Sequence, residues 1–225
     1  MPQQNWPNRK TDSIMTMVVN SFLKSGKTII FVDGIDASGK TYFARNLKKS
    51  LYSKAIKSTQ LRVDDFLKTE TKRIRNGKSS WKAYYSQWFD FITIKKILTT
   101  FIQKGKLEKE SLIFNNKTKK KKEKIQVKKE SILIVEGVFL SKKEFSKIPA
   151  FRIFLDIPFS CSFERQLKRE PIVRKISRKE VIFRWNHWHK PAQQWYLRKN
   201  HPKKAANLVI NNANYNHPKL IKVNA

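Results

Sequence analysis

Apolar positions along the chain change period several times, and each change marks an element. Ile14, Val18 and Phe22 recur every four residues, which predicts a helix with one buried face. The run from Thr28 to Val32 is almost continuously apolar, as in a strand buried on both faces. Phe43 and Leu47 then stand four apart, with Arg45, Lys48 and Lys49 on other faces, so a helix is expected over Tyr42 to Ser53. A short strand is expected over Ser58 to Val63 and a polar loop over Lys68 to Lys78. Ser79 or Ser80 would cap a helix carrying Trp81, Tyr84, Tyr85, Trp88 and Phe89, with Asp90 at its far end. Ile92 to Lys104 reads as another amphipathic helix.

Two further runs repeat the buried-strand pattern. Ile132 to Val135 is wholly apolar and ends in Glu136-Gly137; Phe151 to Leu155 follows it and closes near Pro158. Between Phe114 and Lys129 a lysine run precedes the alternating Ile125-Gln126-Val127, so a basic hairpin is expected over about residues 112–129. Ser162 to His189 is rich in Arg and Trp and reads as helical with a break at Pro171. Ala206 to Ile210 supplies a last strand before a polar, Asn-rich tail. Strands alternating with helices predict an α/β fold: a mostly parallel sheet flanked by helices, as one domain over residues 1–225.

The first strand leads into Gly34-Ile35-Asp36-Ala37-Ser38-Gly39-Lys40-Thr41, a complete G-x-x-x-x-G-K-[ST] phosphate-binding loop. Its glycines let the backbone curl so that successive N–H groups converge on phosphate oxygens, and the following helix adds the positive end of its dipole. Gly34, Asp36, Ala37, Ser38, Gly39, Lys40, Thr41 and Tyr42 are the expected nucleotide contacts. Lys40 would reach the β- and γ-phosphates and Thr41 would hold Mg²⁺. The motif therefore predicts an NTP-using protein with ATP and Mg²⁺ as cofactors.

Charge changes the picture of partners rather than of fold. The 225 residues hold 49 Lys+Arg against 17 Asp+Glu, a formal net charge of +32. Such a field concentrates polyanions near the surface. A nucleic-acid-binding NTPase, or a kinase of polynucleotide 5′-hydroxyls, is thus the alternative to a small-molecule enzyme. The excess is spread along the chain rather than gathered into a stripe, and no helicase-like or RNA-binding signature accompanies it. The single Cys161 excludes an internal disulfide, which points to a reducing cytoplasm. Polar Thr16, Asn20 and Ser21 break the first apolar stretch, so neither a signal peptide nor a membrane span is expected. His187 and His189, two apart on an expected helix, point to different sides and read as lid or surface residues rather than a metal pair.

Phosphoryl transfer needs phosphate neutralised and an acceptor hydroxyl prepared. Glu136, at the end of a buried strand, is placed to join Thr41 at the metal. Asp64 or Asp65 would take the acceptor's proton, or would cap a helix. Arg165, Arg169 and Arg174 fall on a segment able to fold over the triphosphate.

Taken in order, Val32-Asp33 with the phosphate loop, Val63-Asp64-Asp65-Phe66, Ile134 to Leu140 and Phe154-Leu155-Asp156 resemble the uridine kinase family, including its bacterial uridine kinase-like members. Arg165 to Arg169, Pro191-Ala192-Gln193 and Ala206 to Asn212 extend the resemblance over roughly residues 27–212. It implies a P-loop kinase sheet with a helical lid over about residues 162–190 and a small β-hairpin. It implies an ATP- and Mg²⁺-dependent kinase of a uridine- or cytidine-like hydroxyl. In that resemblance Asp64 matches the catalytic aspartate and a metal contact, Glu136 the acidic E-G residue, and Arg169 the lid arginine, with Arg165 and Arg174 beside it. The sequence departs from the family where substrate is chosen. Phe114 to Lys119 lacks the Tyr-Asp-aromatic start of the pyrimidine-reading hairpin, and Leu67 stands where the family often has Tyr.

Overall fold

The computed structural model describes residues 9–69, 73, 79–115 and 119–223. Its first helix, α1 (Arg9–Lys24), leads into β1 (Ile29–Gly34), α2 (Lys40–Tyr52) and β2 (Ser58–Arg62). A 3₁₀ turn at Val63–Phe66 is followed by α3 (Trp81–Ser86) and α4 (Phe91–Lys104). Strands β3 (Leu107–Asn115) and β4 (Lys119–Val127) form a separate antiparallel hairpin. Then come β5 (Ile132–Gly137), β6 (Ala150–Asp156), α5 (Phe159–Arg174) and α6 (Arg178–Arg184). A π-helical turn at Trp185–His189 joins α6 to α7 (Lys190–Asn200), and α8 (Pro202–Ala205), β7 (Leu208–Asn211) and β8 (Lys219–Val223) complete the chain.

Six strands form one sheet in the order β2-β5-β1-β6-β7-β8. The first five run parallel, and β8 closes the edge antiparallel to β7. The strand period of two sorts side chains between the two faces. In β1, Ile29 and Phe31 enter one core, with α4 and the aromatic cluster, while Ile30 and Val32 enter the other, with α1 and α2. β5 divides likewise, Leu133 and Val135 against Ile134. With both faces covered, β1 is buried from end to end, which explains why its sequence is continuously apolar. The parallel arrangement brings the carboxyl ends of β1, β2 and β5 to one edge, and the functional residues collect there.

Several boundaries differ from those the sequence predicts. The hairpin begins at Leu107, earlier than residue 112, because Leu-Glu-Lys-Glu reads as solvent pattern; among the described residues Leu107, Ser111 and Val127 are buried, and Lys124 pairs with Glu108 across the strands. Asp90 does not end the aromatic helix. That helix stops at Ser86, and Asp90 caps α4, accepting from the Thr93 amide at 3.1 Å. Ser80 is the residue that caps α3. Pro171 does not break α5, which continues to Arg174. Proline forfeits one donor there, and the final turn is tied by the Glu170–Arg174 pair, while the change of direction falls at left-handed Lys175. The tail beyond β7 carries a strand, β8. The loop expected over Lys68 to Lys78 lies mostly outside the described residues, as do Lys117 and Thr118 of the lysine run. Among the described residues no helix is long and apolar enough to cross a membrane.

Candidate active site

The phosphate loop joins the end of β1 to the start of α2. Gly39 stands before the helix at φ 91°, in the left-handed region, and offers no side-chain cap. A Cβ there would lie 2.6 Å from Asn212 Nδ2, so only glycine lets the loop pass under that amide. The first amides of α2 have no intrahelical acceptor, which leaves a helix N-terminus suited to an anion. Lys40 folds back, its ammonium donating to the Ile35 carbonyl at 2.7 Å and lying across the loop.

The loop is braced from behind by the C-terminal half of the chain. Asn212 Nδ2 donates to the Ser38 carbonyl at 2.7 Å. Arg165 donates to the carbonyls of Ala37 (3.0 Å), Asn212 (3.0 Å) and Ala213 (2.7 Å), and its guanidinium lies 3.8 Å over the Tyr215 ring. Arg165 therefore spends its donors on main chain and shapes the loop. Asp33 at the end of β1 is likewise committed to structure, accepting from the Gly34 amide and from the hydroxyls of Ser141 and Tyr196.

Three strand ends converge on the loop's open side. Glu136 from β5, Asp64 from the turn after β2, and Lys40 and Thr41 line one cleft together with Asp36, Ala37, Gly39, Tyr42 and Arg169. Asp65 turns aside, 3.8 Å from Arg62. Glu136 is only 4% exposed. Burial pushes its carboxyl up to about 7, and the Asp64 charge adds to this; Lys40, the Thr41 hydroxyl that donates to it, and Arg62 oppose. The Arg62 pair, at 3.5 Å, is misaligned for a hydrogen bond. Two carboxylates and a hydroxyl thus face each other with too little positive charge between them. An all-oxygen set of this kind suits a hard divalent cation that takes its remaining ligands from phosphate and water. Among the described residues no cluster of three His, Cys, Asp or Glu joins it.

Gly137 explains how Asp64 reaches this cleft. A Cβ on Gly137 would come within 2.3 Å of Val63 Cβ, so the glycine lets the turn carrying Asp64 pack directly on the end of β5.

A second pocket opens on the other side of Asp64. Leu67, Tyr84, Trp88 and Phe89 form its apolar wall; Gln166, Arg169, Glu170 and Arg174 of α5, Ile176, Val181 and Arg184, and His189 form the opposite one. Asp36, Asp64 and Arg169 border both this pocket and the phosphate cleft. Arg169 is held by Glu170 (2.9 Å from Nε), and Arg174 pairs with the same carboxylate. Arg169 and Arg174 are thus at the site, whereas Arg165 stands behind it.

His189 is a site residue that the sequence does not reveal. The π-helical turn widens the helix and swings the ring inward, where Nδ1 meets Gln166 Oε1 at 2.9 Å and the ring packs against Tyr84. Burial holds its imidazole below the ordinary range, so it is neutral at pH 7. His187 stays outside the pocket, stacked on Phe183.

A phosphate loop at the tip of a central parallel strand, with carboxylates from two neighbouring strand ends beside it, is the layout of a P-loop kinase. The family model described as Phosphoribulokinase / Uridine kinase family matches residues 29–217, and the chain belongs to that family. It is thereby a phosphotransferase of the kind that acts on hydroxyls of small molecules. Among curated proteins none matches the chain. A solved structure described as a possible uridine kinase from Bacillus stearothermophilus is similar over 88% of this chain and 98% of its own, at 22% identity and a TM-score of 0.70. D-glycerate 3-kinase from Cryptococcus neoformans is similar over 85% of this chain and 90% of its own, at 10% identity and a TM-score of 0.58. At these identities the likeness is one of fold.

Proposed function

We propose that the chain is an ATP- and Mg²⁺-dependent kinase that phosphorylates a hydroxyl of a nucleoside, such as uridine or cytidine, or of a related metabolite. One observation carries this reading: the phosphate cleft and the second pocket meet at Asp64, so an acceptor in the pocket presents its hydroxyl to a carboxylate beside the phosphates.

Each residue then has a role. Asp64 accepts the hydroxyl proton as the acceptor oxygen bonds to the γ-phosphorus and the bond from that phosphorus to the bridging oxygen of ADP breaks. Lys40 and the amides from Gly39 to Tyr42 bind and orient the phosphates. Thr41, Glu136 and Asp64 would hold Mg²⁺, which neutralises phosphate charge when bound. Arg169, with Arg174 behind it, faces the transferring group. Arg165 keeps the loop in shape at the nucleotide's side. Residues 162–190 act as the lid, because they supply the pocket wall opposite the aromatic residues. Leu67, Tyr84, Trp88 and Phe89 give the acceptor an apolar wall to rest against. With its lone Cys161, the protein fits the cytoplasm.

The test is incubation with Mg-ATP and a panel of nucleosides, other small polyols and short oligonucleotides, following transfer of γ-phosphate. The expected result is one phosphorylated small molecule per ADP formed. Phosphorylation confined to oligonucleotide ends, or no product from any acceptor, overturns the reading.

A further inference from the structure

Asp36 occupies the phosphate loop, yet its polar groups are turned away from phosphate duty. Its amide donates to Gln193 Oε1 at 3.1 Å, and its carbonyl accepts from Ser162 Oγ at 2.6 Å. Both main-chain groups are thus committed to the helices α5 and α7. A carboxylate pointed at a triphosphate would also repel it. The residue stands where the second pocket meets the phosphate cleft, with 19% of its side-chain surface exposed.

Its carboxylate is fixed from one side. The Tyr84 hydroxyl lies 3.1 Å from Oδ1 and 2.9 Å from Oδ2, and Gln193 Nε2 donates to Oδ2 at 2.5 Å. His189 Nδ1, at 3.7 Å, is beyond hydrogen-bond range and already engaged with Gln166. Two protons therefore serve a group with about four acceptor sites. The remaining capacity faces the pocket, beside Asp64. Arg169 and Arg174 in the same lining are engaged by Glu170, and Arg184 by Glu180, so this capacity is left for a donor on the acceptor, and a hydroxyl fits it.

We infer that Asp36 receives a second, non-reacting hydroxyl of the acceptor, so that the substrate is a polyol whose spare hydroxyl sets the reacting one against Asp64. This rests on the kinase reading and deepens it: Asp36 becomes a specificity residue rather than a phosphate contact. Gln193 and Tyr84 act as positioning residues that hold the carboxylate still.

The experiment pairs acceptors with analogues lacking one hydroxyl: uridine with 2′-deoxyuridine and 3′-deoxyuridine, ribose with 2-deoxyribose, glycerol with 1,2-propanediol. For the acceptor that the wild type turns over best, removal of the hydroxyl read by Asp36 should lower kcat/KM by about 10²-fold or more, since a site built to bind a hydroxyl rejects the compound lacking it. Asp36→Asn should raise the acceptor KM roughly tenfold to a hundredfold, with the KM for ATP near wild type, and should discriminate less between the pair. That lost discrimination separates a substrate contact from a merely structural role. Because the wild-type comparison needs no variant, the inference stays testable even where Asp36→Asn folds poorly. Efficient turnover of every deoxy analogue, or an Asp36→Asn enzyme that discriminates as the wild type does, overturns the inference and leaves the kinase reading intact. No turnover of any hydroxyl acceptor overturns both.

Discussion

The Thr41 hydroxyl donates to the Glu136 carboxylate, linking the first turn of α2 to the tip of β5. That bond, together with Asp64 close by, gathers oxygen ligands where negative charge is least welcome. The site is consequently built against the stability of the metal-free protein.

Replacing Glu136 with Gln should make that cost visible. The carboxyl keeps its proton to about 7 in the folded chain but only to 4.5 when free, so the metal-free fold loses stability as pH rises through that interval. At pH 8 in EDTA, Glu136→Gln should be more stable than the wild type by on the order of 1–3 kcal/mol in urea titrations, and near pH 4 the two should coincide. The same variant should turn over at least about 10²-fold more slowly.

Asp64→Asn separates chemistry from binding. Nucleotide affinity, measured by calorimetry, should stay near the wild-type value, while turnover falls by roughly 10²- to 10⁴-fold. Retained turnover would take Asp64 out of the reaction.

Gly137→Ala tests whether Asp64 depends on the close approach behind it. The added methyl meets Val63, one residue before Asp64, and backbone has to yield. A loss of about 1–3 kcal/mol in stability is expected, with turnover falling further than nucleotide affinity.

His189 gives the opposite pH signature to Glu136. Its folded pKa lies below the ordinary 6.5, so the stability it contributes is present above 6.5 and is lost as pH falls through its depressed folded value. Melting temperatures followed from pH 7.5 down to pH 5 should change less favourably in the wild type than in His189→Gln, the gain that Glu136 gives on acidification being common to both. Equal slopes would mean that the ring is not held neutral.

How much of this was legible in the sequence depended on whether function was written in a local pattern. The loop from Gly34 to Thr41 was readable because phosphate binding by main chain requires glycines at fixed spacing. Glu136 was readable because a buried parallel strand is apolar until its end, where the first polar residue enters the cleft. Asp64 followed from the strand before it. Asp36 and His189 were opaque for a shared reason: their direction is set by groups far along the chain, Gln193 and Gln166, and by a π-helical turn that no short-range period announces. Arg165 looked like a phosphate ligand because composition cannot tell an arginine that faces substrate from one that holds three carbonyls. The hairpin's early start was hidden by the charged run Glu108-Lys109-Glu110, which separates the buried Leu107 from Ser111.

The clasp between Asn212 and Ser38 joins residues 174 positions apart. A nascent or proteolysed chain that carries the glycine-rich signature but stops short of Asn212 would own the letters of the motif without this clasp. Full grip on a triphosphate is therefore expected only once the last parallel strand has docked, and nucleotide retention by chains shortened before Asn212 would report it.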